Sequence, residues 1–178
     1  AFFRAVNVGR RQVNMGELRT QLESLGLQNV STYIASGNAL FETDEQDAAA
    51  LERRIEERLE SAFGFDVPTL IRPASELPAL ATADPFGAAA AHEDAIVYVA
   101  FLREAPGAER FAQLQAYESA IDTLHPDGRH LFWLRRRDLG ESAITNDRIE
   151  RALGTTSTVR NSSTLRKMVD KFNLTATP

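Results

Sequence analysis

The hydrophobic positions follow a helical period in several segments of the chain. Over residues 47–63 an apolar residue recurs every fourth position from Leu51 to Phe63, with charged residues between, as in a helix that buries one face. An earlier helix has a start signal, because Asn14 can cap it and Glu17 follows three residues later. The same criteria predict helices over residues 14–26, 107–117, 146–153 (capped by Asn146) and 163–172, and a short one after Ser75.

Short apolar runs bounded by glycine, proline or asparagine predict the strands. These runs cover residues 1–6, 30–35, 39–43, 65–71, 95–102, 120–124, 130–134 and 156–159. The order strand, helix, strand, strand, helix, strand therefore occurs twice, and it is the order of a ferredoxin-like plait. We predict an α+β fold of two tandem ferredoxin-like (βαββαβ) plaits with a C-terminal helix. The predicted divisions are a first unit at 1–73, a proline-bearing connector at 74–93, and a second unit with the terminal helix at 94–178.

The predicted topology brings two polar loops to the same end of the first sheet. The first strand leads into the segment NVGRRQVN, and the next two strands are joined through the tripeptide SGN. Around the N-terminus of the first helix, where free N–H groups favour an anion, we expect Asn7, Gly9, Arg10, Arg11, Ser36, Gly37 and Asn38. Glycine and asparagine are equally typical of a tight hairpin turn, so a purely structural turn is the alternative.

A second polar and basic cluster follows the last predicted strand. From residue 160 to residue 171 the chain has four basic residues and one acidic residue, although its net charge is −5. We predict an anion site at the N-terminus of the final helix, formed by Arg160, Asn161, Ser163, Thr164 and Lys167. An Arg160→Ala change would then weaken anion binding at little cost in stability. If Arg160 instead pairs with an internal carboxylate, its removal would destabilise the protein.

Composition limits the classes of function. The chain of 178 residues has 20 basic and 25 acidic side chains, so its overall field repels a nucleic-acid backbone, and binding there would need a local basic patch. It has no cysteine, which excludes disulfides and thiolate metal sites. The three histidines, His92, His125 and His130, lack the spacing of metal ligands, so we predict no metal. No cofactor is expected, because no dinucleotide, P-loop or nucleophile-elbow motif occurs.

The sequence also bears on location. No apolar run approaches the roughly 18 residues that span a bilayer, and no charged and apolar leader opens the sequence. We therefore expect a cytoplasmic protein with no membrane partner, whose natural chain has one or more residues before Ala1. Nothing in the sequence indicates an oligomeric state.

Two segments carry a resemblance to a known family. They are FFRAVNVGRRQVNMGELRTQLESLGLQNVSTYIASGNALF and STVRNSSTLRKM, and they resemble the bacterial family called domain of unknown function 1697. The resemblance implies two ferredoxin-like repeats and no established activity. The family motif would fall on Arg4, Asn7, Gly9, Met15, Glu17, Arg19, Tyr33, Ser36, Gly37, Asn38, Arg160, Asn161, Thr164 and Lys167. Ala5 and Arg10 depart from it, since both stand where glycine is usual, which puts close backbone approach to a ligand in doubt.

Three functions stay open at this point. The first is binding of a small phosphate- or carboxylate-bearing ligand at the loop clusters. The second is an enzyme of unknown reaction, in which Arg4, Ser36 and Asn38 would position the substrate or stabilise an oxyanion. The third is RNA binding on sheet aromatics, Tyr98, Phe132 and Trp133, although burial in the core explains these residues better.

Overall fold

The protein is described here from a computed structural model that covers residues 1–7, 9, 12–33 and 37–175. It is a mixed α/β protein, and the described residues form two four-stranded antiparallel sheets and six α-helices. The chain divides into two compact units, Ala1–Ala74 and Ser75–Pro178. Within the described ranges, no helix has both the length and the apolar character that crossing a membrane would demand.

The first unit contains four strands and two helices. The strands are β1 (Phe2–Phe3), β2 (Gln28–Tyr33), β3 (Asn38–Glu42) and β4 (Thr69–Leu70), and the helices are α1 (Met15–Glu23) and α2 (Ala48–Phe63). The strand order across the sheet is β2-β3-β1-β4, with every neighbouring pair antiparallel.

Local signals in the sequence place both helices of this unit. The side chain of Asn14 accepts hydrogen bonds from the N–H groups of Gly16 and Glu17 at 2.7 and 3.3 Å, which confirms the predicted N-cap. Asp47 caps α2 in the same way. Leu51 and Leu59 of the predicted apolar stripe are buried in the core.

Two strands of this unit are shorter than predicted. β1 ends at Phe3 because Ala5 and Asn7 adopt positive φ angles of 55° and 58°, which take the backbone out of the extended region. β4 begins only at Thr69, directly after Pro68, and proline has no N–H to give to a strand ladder.

The second unit contains the remaining strands and helices. Its strands are β5 (Ala95–Leu102), β6 (Asp122–Asp127), β7 (His130–Arg136) and β8 (Ser157–Asn161), and its helices are α3 (Leu77–Thr82), α4 (Ala108–Gln115), α5 (Asn146–Leu153) and α6 (Ser162–Phe172). The strand order is β6-β7-β5-β8, again antiparallel throughout. Short 3-10 segments lie at Ala74–Glu76, Gly87–Ala91 and Arg137–Leu139.

One local feature of the second unit differs from the sequence prediction, and another agrees with it. Asn146 does not cap α5, because Thr145 does so and accepts from the N–H of Arg148. Asn146 instead exchanges hydrogen bonds with Ser157 on β8. In the segment predicted as a connector, α3 is the short helix expected after Ser75, and it packs against α6.

Candidate functional site

The chain passes directly from a strand into a helix at the end of β8. Asn161 is the last residue of β8 and also the N-cap of α6, and its side chain accepts a hydrogen bond from the N–H of Ser163 at 2.8 Å. A first helical turn has several N–H groups without an intrahelical acceptor, and the cap satisfies one of them. This end of α6 therefore presents hydrogen-bond donors and a partial positive charge.

A cavity of about 660 Å³ lies at this helix end, and we call it the α6 cavity. One wall is the start of α6, and another is the beginning of β5 at residues 95–97. The rest comes from the end of α3 and the segment that follows it, within residues 81–91. Most side chains of the last two walls are small and apolar. A volume of this size suits a small organic ligand, because ligand pockets typically measure about 300–1,000 Å³.

The α6 cavity contains one group of each charge. Arg166 lies four residues after Ser162 and thus on the same face of α6, one turn further on. It is solvent-exposed and forms no ion pair within the described part of the chain. Asp84 supplies the carboxylate, and one of its oxygens accepts from the N–H of Gly87 at 2.9 Å. Arg166 is therefore the cationic group available to an anionic ligand here.

Of the predicted residues in this region, Asn161 and Ser163 line the α6 cavity. Thr164 is half-buried and Lys167 is exposed, and neither is part of the lining. Arg160 is also absent from the lining. Sequence reasoning missed Arg166, although it lies three residues after Ser163 on the predicted helix and so on the same face.

Arg160 is a buried residue of β8, with 7% of its surface exposed. Its guanidinium donates to the hydroxyl of Thr158 at 2.7 Å and to the carbonyl of Val159 at 2.9 Å. Burial lowers the pKa of Arg160 to about 10, because the charged form loses hydration. These contacts give Arg160 a structural role, although its partners here are a hydroxyl and a carbonyl rather than the carboxylate of the structural alternative.

The loop after β1 lies beside the N-terminus of α1. The side chain of Asn7 accepts from the N–H of Val13 at 2.8 Å, which closes the loop. Asn7 and Gly9 line a concavity of about 420 Å³ with Gln12, Val13, Asn14 and Glu17. The charged group among these lining residues is the carboxylate of Glu17, and its negative charge disfavours an anion in this concavity. The predicted residues Arg10, Arg11 and Ser36 lie outside the described residues.

Gly37 has a close-packed position against the end of β1. Its carbonyl accepts from the N–H of Phe3 at 2.9 Å, so the hairpin and the first strand do meet at one end of the sheet. Gly37 has a φ of +81°, and a Cβ placed on it would stand 2.1 Å from Cγ2 of Val6. Glycine is therefore required here for packing as well as for backbone conformation.

Two other predicted residues of the first unit also have structural contacts. Asn38 is fully buried and donates from its side chain to the carbonyl of Tyr33 at 3.0 Å, across the hairpin. Arg4 is half-buried, and its backbone N–H donates to the carbonyl of Pro68 at 2.8 Å. A ligand could reach Asn38 only if the hairpin opened.

The aromatic residues considered for RNA stacking are packed inside the second unit. Phe132 and Trp133 are 2% and 6% exposed, and as neighbours on β7 they face opposite sides of the sheet. The Trp133 ring stacks on Tyr98 with centroids 4.8 Å apart, and its Nε1 donates to Asp122 at 2.7 Å. Stacking a base on these rings would require core contacts to break.

One histidine lies among carboxylates. The possible ligand atoms of His92, Asp94 and Asp138 lie within 4.8 Å of one another. Arg136 occupies this position, since it donates to Asp138 at 2.8 Å and stands 3.2 Å from Nε2 of His92. The hydrogen bond from Arg136 lowers the pKa of Asp138, as expected for a carboxylate beside a cation. The guanidinium already supplies the charge that a metal ion would bring.

These features define a mixed α/β protein with two four-stranded antiparallel sheets and a cavity at the start of a helix. The chain belongs to the family described as "Protein of unknown function (DUF1697)", whose model matches residues 1–132. The matched range contains the walls of the α6 cavity at residues 81–97 and stops before α6. The resemblance noted in the sequence is thus confirmed.

Comparison with solved structures agrees with this assignment. The structure of conserved bacterial protein SP0830 from Streptococcus pneumoniae is similar with a TM-score of 0.69, and the likeness covers 97% of this chain and 96% of that chain. Sequence identity is 23%, so the similarity concerns the fold alone. No curated protein matches the chain.

Proposed function

We propose that the protein binds a small molecule bearing a phosphate or carboxylate group in the α6 cavity. Arg166 and the N–H groups of the first turn of α6 would hold the anionic group, and the small apolar side chains opposite would contact the rest of the ligand. The observation that carries this proposal is the coincidence of three features at one place: a cavity of about 660 Å³, a helix N-terminus and an arginine without an ion pair in the described residues.

The chemistry of these groups supports an anion. A guanidinium forms paired, charge-assisted hydrogen bonds with the oxygens of a carboxylate or phosphate. A helix N-terminus adds partial positive charge and N–H donors. The carboxylate of Asp84, in the segment after α3, would repel a second anionic group, or would accept from a hydroxyl or amine of the ligand. We therefore favour a ligand with one anionic group and one hydrogen-bond donor.

A thermal-shift screen of phosphorylated and carboxylated metabolites at constant ionic strength tests the proposal. A compound that binds the folded protein raises its melting temperature in proportion to occupancy. Protection should be lost in Arg166→Gln, which removes the cation, and in Ala91→Trp, which fills the cavity from an exposed position.

The matched control is Arg53→Gln, which removes the same charge from an exposed position on α2. It should leave the protection unchanged. Equal protection of wild type, Arg166→Gln and Ala91→Trp by every active compound would refute binding in the α6 cavity.

The two other functions lack a comparable observation. An enzyme that uses Asn38 would need a side chain that is here fully buried and bonded to Tyr33. RNA binding on Phe132 and Trp133 would need two rings that are here in the core. Both stay predictions from the sequence. Measured turnover of a substrate would support the enzyme, and salt-sensitive binding of RNA would support the RNA-binding protein.

We also infer that each unit is a ferredoxin-like plait. The support is the element order, which is strand, helix, strand, strand, helix, strand from β1 to β4 and again from β5 to β8. The antiparallel strand orders β2-β3-β1-β4 and β6-β7-β5-β8 correspond to each other position by position. The divisions at 1–73 and 94–178 and a cytoplasmic location remain predictions.

A further inference from the structure

A second charged surface lies between α4 and α5. Gln113, Tyr117, Arg148 and Arg151 line a concavity of about 320 Å³ between the two helices. Arg110 stands one turn before Gln113 on α4, and its guanidinium carbon is 3.5 Å from the point that a Cβ on Gly154 would occupy. We call these five residues, Arg110, Gln113, Tyr117, Arg148 and Arg151, the basic groove.

The arginines of α5 in the basic groove are held by contacts within the protein. The guanidinium of Arg148 lies over the ring of Tyr117, 4.6 Å from its centroid, and donates to the carbonyl of Ala143. Nε of Arg151 donates to the carbonyl of Asp147 at 3.2 Å. Holding an arginine in place reduces the side-chain entropy that binding would cost. The terminal nitrogens of Arg151 have no hydrogen-bond partner among the described residues.

The positive charge of the basic groove is not neutralised by ion pairs. Among the described residues, Arg110, Arg148 and Arg151 form none. Of the carboxylates on these helices and the adjoining loop, Glu150 accepts from the N–H of Ser157 and Glu118 from the N–H of Leu124. Glu109 of α4 and Asp147 of α5 are exposed and reduce the net positive charge of this surface. Arg148 and Arg151 thus line the concavity, and Arg110 lies beside Gly154 at the end of α5, in a chain whose net charge is −5.

The groove also has an exposed aromatic ring. Tyr117 is 42% exposed, which is unusual for a large side chain in this protein. One face of its ring lies against Arg148, and the exposed part can contact an apolar portion of a ligand.

We propose that the basic groove binds a phosphorylated small molecule, at a site separate from the α6 cavity. Several guanidinium groups match the charge and the multiple acceptor oxygens of a phosphate or diphosphate better than those of a single carboxylate. The concavity of about 320 Å³ is at the lower end of the usual range for ligand pockets, so it can hold the phosphate groups together with an adjoining part of the ligand that contacts Tyr117.

Titration of the labelled full chain with inorganic pyrophosphate, followed by backbone amide NMR shifts at physiological ionic strength, tests this site. Saturable shifts are expected for amides of α4 and α5. Arg151→Gln should weaken that binding about 10- to 100-fold, because it removes charge-assisted hydrogen bonds. Arg151→Lys should weaken it less, since lysine keeps the positive charge and loses only the paired hydrogen bonds of the guanidinium.

Two control variants separate the basic groove from general charge effects and from the α6 cavity. Arg53→Gln, on the exposed surface of α2, should leave the α4 and α5 shifts unchanged, and so should Arg166→Gln. The proposal is overturned if wild type shows no saturable shifts in α4 and α5, or if Arg53→Gln weakens them as much as Arg151→Gln. If Arg166→Gln retains the saturable shifts of α4 and α5, binding in the basic groove is supported, even if no compound binds in the α6 cavity.

Discussion

Replacement of Gly37 by alanine should destabilise the protein through two separate effects. Gly37 has a φ of +81°, and a residue with a Cβ pays about 1–2 kcal/mol in the left-handed region. The new methyl group would also stand 2.1 Å from Cγ2 of Val6, and overpacking of this kind costs about 1–3 kcal/mol. Gly37→Ala should therefore lower the free energy of unfolding by about 2–5 kcal/mol.

A double-mutant cycle with Val6 separates the two effects. Val6→Ala removes Cγ2 and should itself cost about 1.5–2 kcal/mol for two buried carbons. In the double variant the 2.1 Å clash with Cγ2 is absent, while the backbone strain, the 3.2 Å approach to Cβ of Phe3 and the loss of the Val6 carbons remain. Its cost should therefore be at least about 1 kcal/mol less than the sum of the single costs.

Urea unfolding followed by far-UV circular dichroism measures each variant. Trp133, the single tryptophan of the chain, lies in the second unit, so its fluorescence gives a separate signal for that unit. Strictly additive costs, or a Gly37→Ala variant within about 0.5 kcal/mol of wild type, would refute the packing argument, because surface changes usually fall in that range.

Further predictions concern buried and paired charges. Arg160→Ala should lower the free energy of unfolding by about 1–3 kcal/mol, because it leaves buried acceptors unsatisfied; unchanged urea unfolding would contradict this. Asp122→Ala should cost about 2–3 kcal/mol through the lost hydrogen bond to Trp133, and Asp122→Asn should cost less because it retains an acceptor oxygen; equal costs in the same assay would count against the bond. The hydrogen bond from Arg136 lowers the pKa of Asp138, so the stability it contributes is present above the unfolded-state pKa of about 3.9 and is lost as pH falls through the lower folded value. NMR titration of the Asp138 carboxyl in Arg136→Gln should give a higher pKa than in wild type, and an unchanged pKa would be inconsistent with the pairing.

Helices could be predicted from the sequence because their signals are local. The apolar period of α2 and the cap at Asn14 depend on residues within one or two turns, and both appear in the structure. Strand ends depend on pairing partners far along the chain and on backbone angles. β1 is limited to Phe2–Phe3 by the positive φ of Ala5, and the presence of an alanine does not predict a positive φ.

The candidate site could be predicted only in part, since it depends on the direction of individual side chains. The excess of basic residues after residue 160 indicated the helix end at which the α6 cavity lies. Strand alternation in β8 puts Arg160 and Thr158 on one face and Asn161 on the other, which separates Arg160 from the α6 cavity. Because α6 begins at Ser162, Arg166 rather than Lys167 shares the face of the first turn that lines the cavity.

The central claim, anion binding in the α6 cavity, is tested most directly by a ratio of dissociation constants. The tightest phosphorylated or carboxylated compound from the screen would be titrated calorimetrically into wild type, Arg166→Gln and Arg53→Gln at the same ionic strength. We predict a dissociation constant about 10- to 100-fold higher for Arg166→Gln and a value near that of wild type for Arg53→Gln. The same dissociation constant for all three proteins would contradict it.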